Sequence, residues 1–376
     1  MIQYIENLAP ELIQLRRTLH QYPELGFQEF QTAKLIEERL ERLGVEDIRR
    51  VAGTGVTGIV RGSCEGKTLL LRADIDALPL TETTGADYAS RNAGTAHACG
   101  HDVHTAILLG VADTLLRYRA QFRGNVKLVF QPAEEALGGA LPMIEQGVME
   151  APAPDAAAAY HVWDLPVGTV GIRAGGVTAS PDHFRITLTG KGGHGAAPET
   201  CVNPIEIGAR VATRLNNLKL DTPSVVSICS FLGGTGENII PETCLLKGTA
   251  RALDGDTRRR LYEVITATAE EVAASLGGTA VVDYRFLYPP CINDSGMVER
   301  FVSAANAVIG QENVIYQKKP DMTGDDFAYF AERVPSCYVK LGGAKTPLHA
   351  PNFDVDEACI KTGVAVMCRF ALDFLA

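Results

Sequence analysis

Apolar residues recur along the first part of the chain with the two periods that separate helices from strands. Leu8, Leu12, Leu15 and Leu19 follow helical spacing, with Pro10 expected in the first turn, where its missing N–H is no loss. Leu35, Ile36, Leu40 and Leu43 make a second helical pattern that stops at Gly44, a residue suited to a helix end. The run "KTLLLRADIDALP" is continuously apolar, as in a strand buried on both faces, and ends in Asp74 and Asp76. A loop follows, then a helical pattern through Ile107, Leu108, Val111 and Leu115. "GNVKLVFQPAEE" and "DAAAAYHVW" read as two more buried strands, ending in acids and in His161. Strands and helices alternate, and each strand delivers polar residues at its carboxyl end. Open α/β sheets place their ligands on that rim.

The rhythm changes near Asp182. "HFRITLTGKG" alternates as a half-exposed strand, "NPIEIGARVATRLNNL" reads as a helix, and "SVVSICSFLGG" and "TCLLKGTARAL" as strands. "DTRRRLYEVITATAEEVAASLG" is a helix and "TAVVDYRFLY" a closing strand. This β-α-β-β-α-β order is the ferredoxin-like split unit. Residues 181–289 are therefore expected as an α+β domain inserted into a larger α/β domain made of 1–180 and 290–376. Arg258, Arg259 and Arg260 are expected on a solvated helix face. The tail "ACIKTGVAVMCRFALDFLA" closes the larger domain as a helix.

Composition narrows the function classes. The 376 residues are 46% hydrophobic and 21% charged, with a formal net charge of −10. That balance argues against nucleic acid and acidic membranes as partners, since both select basic patches. No apolar run approaches the roughly 18 residues of a membrane span. The first residues read as an amphipathic helix and not as a signal peptide. Nine cysteines without framework spacing point to a reducing compartment, so the cytoplasm is the expected location.

The stretch "HACGHDVHTA" concentrates soft donors: Cys99 and His101 offer a thiolate and an imidazole two residues apart. "QPAEE" offers Glu134 and Glu135, "YHVWD" offers His161 and "PLHAPNFD" offers His349. This donor set suits zinc, with manganese or cobalt also served where carboxylate and water share the site. Five ligands exceed the need of one tetrahedral ion, so two divalent ions sharing a bridging ligand are expected. Adjacent residues in an extended or turn segment point apart. One glutamate, Glu135, is assigned as ligand and the other, Glu134, as the base facing a water at the site.

Taken together, "RADIDALP", "HACGHDVHTAILLG", "FQPAEE", "HVW", "GKGGHGAAPE" and "LHAPNFD" resemble, in order, the motifs of the M20 metallopeptidase family. The branch they look most like is that of amidohydrolases cleaving N-acyl amino acids, such as hippurate and indole-acetyl-amino-acid hydrolases. The resemblance implies a phosphorylase/hydrolase-like α/β catalytic domain with a mixed sheet flanked by helices, and an inserted dimerisation or lid domain. It implies Cys99 as the bridge, with Glu135 and His349 on one ion and His101 and His161 on the other. Where many relatives begin the site with His-x-Asp, this chain has Arg72-Ala73-Asp74. Asp74 is left an orienting role outside the ligand set, and His101 stands in for the absent histidine. His194 is implied as the group stabilising the developing oxyanion, and Asn238 and Arg251 as partners of a substrate carboxylate, a natural match for a guanidinium. The family's Gly-Ser-Glu-Asp-Phe appears here as Gly324-Asp325-Asp326-Phe327. The resemblance thus implies a homodimer or dimer-based oligomer that hydrolyses small N-acyl amino acids. A dipeptidase or aminopeptidase, or a non-catalytic binding protein on the same fold, are the alternatives.

Overall fold

The computed structural model describes residues 1–136 and 138–376. The chain divides into two compact units, Met1–Gly175 with Ile292–Lys319 and Asp326–Ala376, and Gly176–Cys291 with Pro320–Asp325.

The first unit opens with helices α1 (Ile2–Gln21) and α2 (Phe30–Leu43), the latter ended by Gly44 in the left-handed conformation. Pro10 lies well inside α1 and not in its first turn as the sequence suggests, because the helix already starts at Ile2. Then follow β1 (Glu46–Val51), β2 (Gly55–Arg61), β3 (Thr68–Asp74), α3 (His101–Arg117), β4 (Asn125–Gln131), α4 (Ala140–Glu145), β5 (Ala156–Trp163) and β6 (Val170–Ile172).

The second unit is built on β8 (Ser180–Thr189), after β7 (Gly175–Thr178), with the short β9 (Gly193–His194), α5 (Pro204–Asn216), β10 (Ser224–Gly233), β11 (Ile239–Ile240), β12 (Thr243–Ala252), α6 (Gly255–Ser275) and β13 (Thr279–Arg285). Its sheet runs β10-β12-β8-β13, all antiparallel, which is the ferredoxin-like order. Alternation along β12 buries Cys244, Leu246, Ala250 and Ala252 in a core shared with Ile207 and Val211 of α5 and Leu261 and Ile265 of α6. Pro320–Asp325 joins this unit because Asp321 N donates to Val177 O (2.9 Å) and Ala179 N to Thr323 O (2.8 Å). Arg258 departs from the expected solvated face. It grips the buried Asp182 with two hydrogen bonds, Nε to Oδ2 (2.8 Å) and Nη2 to Oδ1 (2.6 Å), and only Arg259 and Arg260 face water.

The chain returns to the first unit through β14 (Cys291–Asn293), α7 (Ser295–Ile309), β15 (Val314–Tyr316), α8 (Ala328–Ala331), β16 (Ser336–Gly342) and α9 (Ala358–Phe374). The eight-stranded sheet has the order β1-β2-β4-β3-β5-β16-β6-β15. Strands β4, β3, β5 and β16 are parallel to their neighbours in that run, whereas β1-β2, β2-β4 and β16-β6 are antiparallel, so the sheet is mixed. The helix α3 is buried almost all round, between the sheet on one side and α1, α2 and α9 on the other. No helix among the described residues is long and apolar enough to cross a membrane.

A buried ionic network joins α1 to the start of α3. Arg16 Nε donates to Asp102 Oδ2 (2.7 Å), and His20 Nδ1 meets the same oxygen at 2.8 Å. Burial alone would lower the His20 pKa, but the Asp102 charge and hydrogen bond and the Glu82 carboxylate outweigh it and raise it from 6.5 to about 9. A folded-state pKa above the unfolded one contributes stability that is complete below pH 6.5 and disappears as pH rises through 9. The wild-type protein is expected to lose up to about 3 kcal/mol between pH 6.5 and pH 9.5 from this group. In His20→Gln that part of the slope should be absent, with lower stability at pH 6, as urea unfolding across the range would measure.

Candidate metal centre

Cys99 and His101 owe their placement to the residue between them. Gly100 has φ +85°, and a Cβ there would lie 2.3 Å from Val162 Cγ2, so only glycine fits. This bend turns the loop into the first residue of α3, His101. The His101 Nδ1 faces two acceptors, the Asp76 carbonyl (2.9 Å) and Asp76 Oδ1 (3.1 Å), so it carries the proton. The other nitrogen, Nε2, is buried and has no hydrogen-bond partner among the described residues.

His161 lies inside β5. Its Nδ1 donates to the Val162 carbonyl (2.7 Å), and its Nε2 is left facing Cys99 Sγ at 3.3 Å. Glu134 and Glu135 follow β4 on a turn where Ala133 holds φ +51°. That strained backbone is pinned by Glu29, a fully buried carboxylate that accepts from Ala133 N (2.9 Å) and Thr54 Oγ1 (2.5 Å). Glu135 N donates to Asp76 Oδ2 (3.0 Å). His349 is also left-handed, at φ +62°, and is tied to the metal-loop backbone by its N–H to Ala98 O (2.7 Å). Its Nε2 lies 3.0 Å from Glu135 Oε1.

The donor atoms of Cys99, His101 and His161 all fall within 4.8 Å of one another, as do those of Cys99, Glu135 and His349. Cys99 is common to both groups. A third group, His101, Glu134 and Glu135, brings the Glu134 carboxylate to the same place.

The electrostatics of these residues fit divalent cations. Burial, and then the Glu135 and Glu134 carboxylates, push the Cys99 thiol well above its usual range. Burial would also lower His101, but Asp74 and Asp76 raise it to about 10, so in the metal-free protein this imidazole carries the compensating positive charge. A cation at the orphaned Nε2 would take over from that proton and would bring the thiol down to thiolate. Burial and His104 hold His161 down at about 3, which keeps it the neutral imidazole that a metal needs. Thiolate, imidazole and carboxylate together suit a borderline ion such as zinc.

Asp74 lies behind this cluster. Val162 N donates to His104 Nε2 (2.9 Å), which puts the His104 proton on Nδ1, and that N–H donates to Asp74 Oδ1 (2.5 Å). Asp74 Oδ2 accepts from Arg72 Nη1 (2.6 Å) and lies 3.6 Å from His101 Nε2. Arg72, fully buried, continues to Asp326 Oδ1 (3.1 Å), which also accepts from Gln131 Nε2 (2.6 Å). Asp326 Oδ2 accepts from Ala140 N (2.9 Å). The acid of the altered Gly-Asp-Asp-Phe segment thus braces the ends of β3 and β4. From the sequence Asp76 is only one of two acids ending a strand, equally fitted to a structural role or to orienting a ligand, and Glu29 is not singled out at all. Glu29 lies outside every motif, so no local signal marks it.

The second unit carries the other residues singled out from the sequence. His194 is exposed, and β9 pairs it with Ile239 of β11. Gly195 N donates to Asn238 O (2.8 Å), so His194 and Asn238 are brought together on one hairpin. Ala196 N donates to His194 Nδ1 (3.0 Å), which leaves the imidazole proton on Nε2 as an outward donor. Arg251 lies on β12, half-buried, opposite Pro181 and Val225.

Comparison with known proteins agrees with this arrangement. The profile of peptidase family M20/M25/M40 matches residues 70–373. The chain is 36% identical to thermostable carboxypeptidase 1 of Saccharolobus solfataricus, over 98% of its own length and 97% of the relative's. It is 37% identical to the N-acetylcysteine deacetylase of Bacillus subtilis, over 96% of each. The crystal structure of the Bacillus subtilis YXEP protein, described as a dinuclear metal-binding peptidase from the M20 family, superposes with a TM-score of 0.90 at 34% identity, covering 98% of this chain and 99% of that one. With the match running from β3 to α9 and the donor groups gathered at the strand ends, the chain belongs to peptidase family M20/M25/M40 and is a metal-dependent hydrolase of amide bonds.

Proposed function

We propose that the protein hydrolyses the amide bond of small N-acyl amino acids to a carboxylic acid and a free amino acid. The observation that carries this reading is the pair of donor groups sharing Cys99, with the Glu134 carboxylate beside them. Cys99, His101 and His161 would hold one divalent ion and Cys99, Glu135 and His349 a second, of zinc, manganese or cobalt, and the ions would supply Lewis-acid polarisation of the scissile carbonyl.

Glu134 is the base. It takes a proton from the attacking water as the oxygen bonds to the carbonyl carbon, and delivers it to the nitrogen as the C–N bond breaks. His194, with its proton on Nε2, donates to the developing oxyanion. Arg251 and Asn238 hold the α-carboxylate of the amino acid, and Asp74 keeps His104 and Arg72 in place behind the ligands. The first unit carries the metal ligands and the base, and the second serves dimerisation or closure and supplies His194, Asn238 and Arg251. Exposed Phe231, Leu232, Ile239 and Val281 on the second unit support assembly as a homodimer or a dimer-based oligomer. The free state of all nine cysteines supports a reducing compartment, the cytoplasm.

The similarity to the N-acetylcysteine deacetylase supports a short acyl group, and the similarity to a carboxypeptidase favours a second reading in which the acyl part is itself a peptide.

Protein stripped of metal should release no amine from N-acetyl, N-benzoyl or indole-acetyl amino acids. Reloading with zinc, manganese or cobalt should restore release. Cleavage confined to free dipeptides would replace the proposal with a peptidase, and metal binding with no turnover of any amide would favour a binding protein. Glu134→Gln should lower kcat by roughly 10²–10⁴-fold while retaining its metal content. Wild-type turnover in that variant would remove Glu134 as the base. Light scattering should give a mass of two chains or a multiple of two, and a monomer would refute the assembly.

A further inference from the structure

The backbone on either side of Glu134 is anchored by a different carboxylate. Glu135 N donates to Asp76 Oδ2 (3.0 Å), and Ala133 N donates to Glu29 Oε1 (2.9 Å). The Ala133 anchor holds a conformation that the residue would not choose, φ +51°, where a Cβ is disfavoured. That φ sets the direction in which the chain leaves for Glu134. Glu29 reaches the turn from the far side of the sequence. It is the fully buried residue just before α2, belongs to none of the donor groups, and its second oxygen accepts from Thr54 Oγ1 (2.5 Å) in the turn between β1 and β2. The loop before α2 presses on the same place, since a Cβ on Gly26 would lie 2.9 Å from Ala133 Cβ and 3.3 Å from Ala136 Cβ.

We propose that Glu29 is the positioning residue of the general base and acts on it through the left-handed Ala133. Without the Glu29 acceptor, residue 133 relaxes toward the negative φ that alanine prefers, and the chain leaving it carries the Glu134 carboxylate away from the attacking water. Glu135 stays behind, because Asp76 holds its N–H and its Oε1 faces His349 Nε2 at 3.0 Å. The loss therefore falls on proton transfer and not on metal binding. The role needs a side chain of this length with an acceptor for the Ala133 N–H and a partner for Thr54, and not a charge. Glutamine supplies both, its carbonyl accepting from Ala133 N and its amide donating to Thr54 Oγ1. The inference rests on the reading that Glu134 is the base.

The test uses full-length wild-type protein, Glu29→Ala, Glu29→Gln, Ala133→Gly and the double variant Glu29→Ala with Ala133→Gly. Each is checked for native circular dichroism and loaded with whichever of zinc, manganese or cobalt supports wild-type turnover. Glu29→Ala is expected to lower kcat about 10–100-fold, with wild-type metal content and KM within about twofold, since a misplacement of about 1 Å is enough for such a loss. Glu29→Gln should keep kcat within about threefold of wild type, as its hydrogen bonds are conserved. Glycine adopts a positive φ without penalty, so the double variant should be several-fold faster than Glu29→Ala although the Glu29 contacts are still missing. Loss of packing alone would give no such rescue, because glycine only loosens the turn further. Where Glu29→Ala does not fold, Glu29→Asp, one methylene shorter, replaces it in both the single and the double variant. Folded Glu29→Ala with wild-type kcat, a double variant no faster than the single one, Glu29→Gln as slow as Glu29→Ala, or a fall in kcat that tracks lost metal each overturn the role of Glu29 and leave the proposed reaction standing. A wild-type protein that cleaves no N-acyl amino acid, or Glu134→Gln with wild-type turnover, overturns the reading of the site instead.

Discussion

The parallel pairing of β3 with β4 and β5 is the constraint from which the site follows. Strands that run the same way finish on the same rim, and each must be continued by a connection that leaves from that rim. Asp74 and Asp76 at the end of β3, Glu134 and Glu135 after β4 and His161 near the end of β5 share one place for that reason. The connection after β3 is long, and it brings Cys99 and His101 back over the strand ends before α3 descends. His349 arrives from the connection after β16, which is parallel to β5 and ends beside it.

A rim so rich in carboxylates needs compensation, since burying unpaired charge costs several kcal/mol per group. Two buried arginines provide it. Arg72 lies between Asp74 and Asp326, and Arg16 reaches Asp102 and Glu357. These pairs do more than balance charge, because each joins segments far apart in sequence: β3 to the residues before α8, and α1 to the start of α3 and to the residues before α9. The donor atoms that face the centre are the ones left without such partners. His101 Nε2 is buried and unbonded among the described residues, and Glu135 Oε1 faces another member of the donor set, His349 Nε2, at 3.0 Å, as a cation site requires.

Local pattern and side-chain chemistry make much of this legible before any coordinates. Continuous apolar runs mark β3, β4 and β5, and alternation with two helical stretches marks the ferredoxin-like unit, because burial on one face or two imposes those periods directly. Cys99, His101, Glu135, His161 and His349 stand out for their donor atoms alone. Pro10's place inside its helix is missed when the spacing is followed only from Leu8 onward, because Ile5, fully buried and three residues before Leu8, continues the same face toward a start at Ile2. Periodicity could not show that Arg258 turns inward, because the partner, Asp182, lies 76 residues away.

The sequence by itself determined which residues can ligate, which segments become strands and helices, and where each donor falls along its element, because those depend on side-chain chemistry and on neighbours within a few positions. Only the tertiary structure decided that the donors form two groups sharing Cys99, that Asp76 and not Asp74 meets the His101 ring N–H, and that Glu29 and Asp326 brace the rim. Hydrogen bonds of that kind join residues separated by 25 to 195 positions. Two acids one strand-repeat apart look alike in a sequence, and only the angle at which another element crosses the strand's end distinguishes them.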